Sequence, residues 1–150
     1  MKLYNYEVIK GDVIDLKLLK NNPSDLNKGW SAEYKFQIQL HDTNQRVGHI
    51  NLRLENNDEV MNYIGHIGYS VIKEYRGHKY SAKACHLLKK VIKDHKMTRL
   101  IITCNPDNYA SRNTCELLGA KLINIVDVPK DLDCYSREES KKCLYEWVIN

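Results

Sequence analysis

A short polar run, Arg76-Gly77-His78-Lys79-Tyr80-Ser81, separates an apolar stretch ending at Ile72 from a long stretch with helical periodicity. The chemistry open to such a junction is anion binding. A helix start leaves several backbone N–H groups without partners and carries a partial positive charge, so a phosphate placed there satisfies both. Just upstream, the apolar stretch Tyr63 to Ile72 contains two glycines, Gly65 and Gly68. Glycine weakens a strand interior, so the pair marks either a bulge packed under a large neighbour or a place where a ligand approaches the backbone.

The elements that must hold these groups follow from hydrophobic period. Lys2 to Lys10 alternates loosely and reads as an edge strand; Asp12 then caps a short helix carrying Val13, Leu16 and Leu19. Asn21-Asn22-Pro23-Ser24-Asp25 breaks that helix and opens a polar loop to about Ser31, with room for one helical turn. Tyr34, Phe36, Ile38 and Leu40 alternate with Lys35, Gln37 and Gln39. After a turn at Asp42-Thr43-Asn44-Gln45, Gly48, Ile50, Leu52 and Leu54 alternate with His49, Asn51, Arg53 and Glu55, which makes an antiparallel hairpin. Tyr63 to Ile72 is a third strand.

Beyond the polar turn, Ser81, Ala84, Cys85, Leu88, Val91, Ile92 and His95 share one helical face. Arg99 to Cys104 is an apolar run suited to a strand buried on both faces, so strand, helix and strand form a β-α-β unit with a right-handed crossover. Asn105-Pro106-Asp107-Asn108 supplies a turn and an N-cap for a helix from Tyr109 to Leu118, which Gly119 ends. A strand from Ala120 to Val128, a polar excursion from Pro129 to Glu139 and a last strand from Cys143 to Ile149 complete the chain. The order implies an α+β (mixed α/β) fold around one sheet, with residues 1–150 forming a single domain.

Composition narrows the partners. The net charge is +4 and the basic residues are spread along the chain, which fits an anionic small ligand and provides no basic arm for nucleic acid. No run is long and apolar enough to span a bilayer, and Met1 to Lys10 has no apolar signal core. Cys85, Cys104, Cys115, Cys134 and Cys143 lack zinc-type spacing, so reduced thiols, no metal and a cytoplasmic location are expected.

Gly68-Tyr69-Ser70-Val71, Arg76-Gly77-His78-Lys79-Tyr80-Ser81, Ile101-Ile102-Thr103-Cys104-Asn105, and Asn108-Tyr109-Ala110-Ser111 through Leu118-Gly119-Ala120 occur in that order. In order and spacing they resemble the general N-acetyltransferase (GNAT) superfamily, over roughly Val47 to Val128. Gly65-His66-Ile67-Gly68-Tyr69 with the following Arg-Gly turn is similar to a group of poorly characterised bacterial acetyltransferases. The resemblance implies a central mixed, mostly antiparallel sheet flanked by helices and splayed where acetyl-CoA binds. It also implies that Tyr69, Ser70 and Val71 pair with the pantetheine amides and that an N–H near the bulge polarises the thioester carbonyl. Arg76, Gly77, His78, Lys79, Tyr80 and Ser81 would wrap the pyrophosphate. Asn108, Ser111 and Arg112 join the cofactor-binding set.

The reaction so implied is direct attack of a primary amine of a small molecule, peptide or protein on the acetyl thioester. A base must then take a proton, and Glu55 and His66 are the candidates. Cys115 stands where many members carry the tyrosine that protonates the departing thiolate; Tyr109 and Tyr145 are alternatives, as is solvent. Lys79 and Ser81 depart from the family's glycine pattern in the phosphate loop, which keeps a non-catalytic CoA-binding domain open as the second reading and an unrelated phosphate-binding protein as a third. Arg53 and Asn51 share a polar strand face that could recognise substrate. Acceptor choice is expected to lie in Asn21 to Ser31 and Pro129 to Lys142, and a homodimer remains open.

Overall fold

The computed structural model describes residues 2–25, 27 and 31–150. Positions 26, 28, 29 and 30, inside the first expected acceptor loop, lie outside the described residues. The elements are β1 (Val8–Ile9), β2 (Ile14–Asn22), β3 (Glu33–Leu40), β4 (Arg46–Arg53), β5 (Ile67–Val71), α1 (Tyr80–Asp94), β6 (Arg99–Cys104), α2 (Tyr109–Leu117), β7 (Lys121–Asp127) and β8 (Lys141–Val148). The strands form one eight-stranded sheet in the order β1-β2-β3-β4-β5-β6-β8-β7. Every neighbouring pair is antiparallel except β5 with β6. This is the mixed, mostly antiparallel sheet that the resemblance implied.

β3 and β4 alternate as their sequences require. Tyr34, Phe36 and Ile38 from β3 and Ile50 and Leu52 from β4 are fully buried, in one core with Ala84, Cys85, Leu88, Val91 and Ile92 of α1. Each large side chain so buried contributes about 1.5–3 kcal/mol of transfer free energy. The outward residues Lys35, Gln37, His49, Asn51 and Arg53 remain partly exposed, leaving a polar sheet face.

Two early expectations are corrected. The helix expected after Asp12 is the strand β2, paired with β3 from Ile14↔Leu40 to Asn22↔Glu33. Ile14, Leu16 and Leu18 already alternate, and a register shift between Leu18 and Lys20 sets Leu19 aside as an exposed bulge residue. That one extra residue makes a period of two look like a period near 3.6. The edge strand expected from Lys2 to Lys10 shrinks to Val8–Ile9, because Glu7 at φ 55° interrupts it. Upstream, Tyr4 and Tyr6 pack edge-on against His95 and Tyr34 respectively.

The start of β2 is pinned by Asp15. Burial pushes its carboxyl pKa up, but hydrogen bonds from His41 (2.8 Å) and from the amides of Asp42 (3.0 Å) and Gly11 (3.0 Å) outweigh this and hold it at about 2. The carboxylate therefore ties β2 to the β3–β4 turn.

The stretch Tyr63 to Ile72, expected as one strand, is divided. Val60–Ile64 is a π-helical turn, Gly65 ends it at φ 73° and ψ 168°, and β5 follows. Only glycine adopts that backbone readily, and a Cβ on Gly65 would lie 2.9 Å from the Ile101 carbonyl oxygen of β6. Gly65 thus has a packing reason. Of the two readings of the glycine pair, the close approach holds at Gly65, made by β6, and the bulge is absent from β5, whose register with β4 runs unbroken from Gly48↔Val71 to Leu52↔Ile67.

His66 then clips β5 to β6. Its N–H donates to Ile101 O (2.7 Å), its ring Nδ1 accepts from Ile101 N–H (2.9 Å), and Nε2 meets Asn56 Oδ1 (2.7 Å). Past that clip the two strands part: their ladder consists of Ile67↔Ile102, while β6 goes on to pair with β8 through Cys104↔Cys143. The sheet is split between β5 and β6.

Candidate functional site

The split leaves the inner edge of β5 without a strand beside it. The bonds from Arg53 N–H to His66 O (2.7 Å) and from Ile72 N–H to Val47 O (2.8 Å) fix which way each peptide group of β5 turns. In an antiparallel ladder, alternate residues direct both N–H and C=O to the same neighbour. Gly68 and Ser70 therefore face β4, and Tyr69 and Val71 face the gap. The Val71 carbonyl accepts from Arg76 Nε (3.0 Å). The N–H and C=O of Tyr69 and the N–H of Val71 have no ladder partner among the described residues. Of the three residues expected to present backbone to pantetheine, Tyr69 and Val71 have the right orientation and Ser70 does not.

Across the gap stands the start of α1. Lys79 occupies its cap position and makes no side-chain cap bond; the first helical bond runs from Lys83 N–H to Lys79 O (3.1 Å). The N–H groups from Gly77 through Ala82 donate to no other group among the described residues. Gly77 (φ 92°) and Lys79 (φ 62°) are both left-handed, the kind of backbone that gathers N–H groups into an anion-binding concavity. The loop thus demands a positive φ at Lys79, where glycine would sit without strain.

The β5 edge and the α1 start line one cavity of about 550 Å³. All the expected cofactor-binding residues line it except His78, which stacks on Tyr80 with ring centroids 5.2 Å apart, and Arg112. Arg112 is instead committed inward, with Nε donating to Tyr145 Oη (3.1 Å) and Nη1 to the Pro106 carbonyl (3.0 Å). Asn108 has both parts expected of it locally: it lines the cavity, and its Oδ1 accepts from Ser111 N–H (3.2 Å) as the N-cap of α2. Tyr75, Asn113, Thr114 and Leu117 also line the cavity and were missed, being ordinary helix and turn residues in the sequence.

A second cavity, about 330 Å³, lies against the first. Tyr69, Asn108 and Ser111 line both, and the Tyr69 hydroxyl meets Ser111 Oγ at 2.7 Å to form part of the shared wall. Burial, with neighbouring thiols adding to it, raises the Tyr69 pKa well above the ordinary phenol value, so the hydroxyl stays protonated. The far side of this cavity includes Arg53, Thr103, Asn105, Glu139 and Lys142.

None of the residues expected to move protons lines either cavity. Glu55 lies past the end of β4 and its Oε1 accepts from Ala32 N–H (3.2 Å). His66 is fully buried with both ring nitrogens engaged, and burial followed by the Arg99 charge lowers its pKa to about 4. Cys115 is also fully buried, and burial pushes its thiol up to about 12. Tyr145 is buried on Arg112, and Tyr109 is largely exposed at the first turn of α2. The carboxylate that does line a cavity is Glu139, held by Asn105 Nδ2 (3.3 Å); it sits in the late polar excursion, where period gives no signal.

A split mixed sheet with an open strand edge facing an uncapped helix start defines a class of protein. The profile of the acetyltransferase (GNAT) domain matches residues 16–121, and the chain belongs to that family, whose chemistry is acetyl transfer. Among solved structures, the ribosomal L7/L12 α-N-protein acetyltransferase RimL is 15% identical with a TM-score of 0.67, covering 95% of this chain and 94% of its own. The microcin C7 self-immunity acetyltransferase MccE, solved with acetyl-CoA and AMP, is 21% identical with a TM-score of 0.60 over 78% of this chain. An acetyltransferase of the GNAT family from Bacillus anthracis is 25% identical with a TM-score of 0.58 over 76% of this chain. The chain spans 61% of the MccE chain and 65% of the Bacillus anthracis one. Among curated proteins none matches.

Proposed function

We propose that residues 1–150 act as one acetyl-CoA-dependent N-acetyltransferase domain that acetylates a primary amine by direct attack. The observation that carries this reading is the pairing, within one cavity, of the unpartnered β5 edge at Tyr69 and Val71 with Gly77, Lys79, Tyr80 and Ser81, whose N–H groups have no partner among the described residues. An extended chain of amides fits the first as an added strand, and a pyrophosphate fits the second. RimL has been solved with CoA as well, which supports a CoA ligand for this fold.

Acetyl-CoA supplies an acetyl thioester: a C–N bond replaces its C–S bond, the amine gives up a proton and the sulfur gains one. The Tyr69 N–H, turned into the gap, is the donor available to a developing oxyanion. Its side-chain hydroxyl is a hydrogen-bond donor to the sulfur rather than a net proton source, because its raised pKa opposes full transfer; solvent completes that step. Glu139 takes the role expected of Glu55 and His66, receiving the amine proton directly or through water. The acceptor enters the second cavity and meets the thioester at the Tyr69–Ser111 wall.

Isothermal titration with acetyl-CoA tests the first cavity, with micromolar binding expected. The second reading, a CoA-binding domain without turnover, rests on the absence of Glu55, His66 and Cys115 from both cavities. Thiol release from acetyl-CoA across an amine panel separates the two: amine-dependent release supports the enzyme, and binding without release supports the domain.

A further inference from the structure

The lining of the second cavity is charged unevenly, and its two cations are poorly neutralised. Arg53, half-buried at the end of β4, donates Nη1 to the Gly65 carbonyl (3.1 Å) and has no carboxylate within salt-bridge reach among the described residues. Glu33, opposite it in the ladder, lies 3.6 Å from Lys35 instead. Lys142 is 12% exposed at its side chain; its Nζ contacts the neutral Asn105 Oδ1 at 2.7 Å, and Glu139 Oε1 lies at 3.9 Å. Glu139 itself is 47% exposed. Two cations thus face one carboxylate in a space of about 330 Å³, the size for a small molecule or a chain end.

A confined, incompletely paired cation favours an anionic ligand, and the guanidinium fork of Arg53 suits a carboxylate or a phosphate. Its position adds a constraint. A Cβ on Gly68 would be 4.0 Å from Arg53 Nη1, so the guanidinium lies over the face of β5 at Gly68, one residue from Tyr69, and glycine leaves that space open.

We propose that the acceptor is a small amine that also bears an anionic group, a carboxylate or a phosphate, read by Arg53 and Lys142 a short spacer away from the nitrogen. This rests on the acetyl-CoA reading of the first cavity. Arg53 and Lys142 are the specificity residues.

The test compares amines of similar basicity with and without the anion: β-alanine against 3-aminopropan-1-ol, and O-phosphoethanolamine against ethanolamine. Turnover is measured for wild type, R53Q and R53K. At least one anionic amine should exceed its neutral twin in kcat/KM by about tenfold or more, as a charge-assisted contact allows. R53Q should abolish that preference and R53K retain part of it. Which pair shows it distinguishes carboxylate from phosphate. Equal turnover of both twins in both pairs overturns the proposal, as does an R53Q variant that slows the twins alike. Acetyl-CoA titrated into the same proteins separates the failures: binding with no preference removes this proposal alone, and no binding removes the donor site with it.

Discussion

Lys79 offers a perturbation whose two consequences have opposite signs. It is a left-handed residue (φ 62°, ψ 27°) at the cap of α1 and lines the first cavity. A side chain in that conformation costs about 1–2 kcal/mol. Glycine removes the cost but adds about 0.5–1 kcal/mol of backbone freedom to the unfolded chain. Lys79→Gly should therefore stabilise by about 0.5–1 kcal/mol, a rise in Tm of about 1–4 °C at this chain length. The same change deletes an exposed cation beside the proposed phosphate cradle, worth about 0.2–1 kcal/mol, so acetyl-CoA should bind about 1.4- to fivefold more weakly, with the deficit shrinking as salt rises. Lys79→Ala keeps the strain and loses the charge: it should share the binding loss without the gain in Tm. Calorimetric melting and titration on both variants decide the matter. If glycine is no more stable than alanine, the backbone argument is wrong; if neither variant binds more weakly, the lysine does not serve the phosphate.

Tyr69→Phe removes the hydroxyl proposed to donate to the departing sulfur and should lower kcat about ten- to hundredfold with little change in acetyl-CoA affinity. Glu55→Gln and Cys115→Ala should leave kcat within about twofold, because neither side chain lines a cavity; a hundredfold loss in either would restore it as a catalytic candidate. His66 gives a pH signature. Its folded pKa of about 4 lies below the unfolded value of about 6.5, so its contribution is complete above that pH and is lost as pH falls, when the unfolded chain takes up a proton that the folded one refuses. The loss should reach about 3 kcal/mol near pH 4, and His66→Asn should flatten urea-derived stability between pH 6.5 and 4; an unchanged slope would contradict the assignment.

The parts of the fold that were legible in the sequence are those whose side-chain period was undisturbed. β3, β4, α1 and α2 bury one face each, β6 is an apolar run buried on both faces, and Asn108 and Gly119 marked the ends of α2 by local backbone chemistry alone. β2 was not legible, because the bulge residue Leu19 shifts its alternation by one position. The residues from Tyr63 to His66 were misread as the start of β5 because Tyr63 and Ile64 run on into its apolar stretch, while they end the helical turn Val60–Ile64. The same contrast runs through the site. The proposed phosphate cradle is contiguous, Arg76 to Ser81, so its chemistry could be read from one loop. The second cavity draws Arg53, Thr103, Asn105, Glu139 and Lys142 from separate segments, and tertiary pairing brings them together. Glu55 and His66 were chosen for their position along a strand, which says nothing about where a side chain's hydrogen bonds will hold it.

The central claim is that the cofactor lies in the β5–β6 split with its pyrophosphate on the α1 start. Backbone amide hydrogen exchange, residue by residue, with and without acetyl-CoA, tests this most directly. Protection should appear at the N–H of Tyr69 and Val71 and across Gly77 to Ala82, with Gly68 and Ser70, already turned to β4, changing little. Binding that leaves Tyr69, Val71 and the Gly77–Ala82 amides exchanging as before would contradict the account.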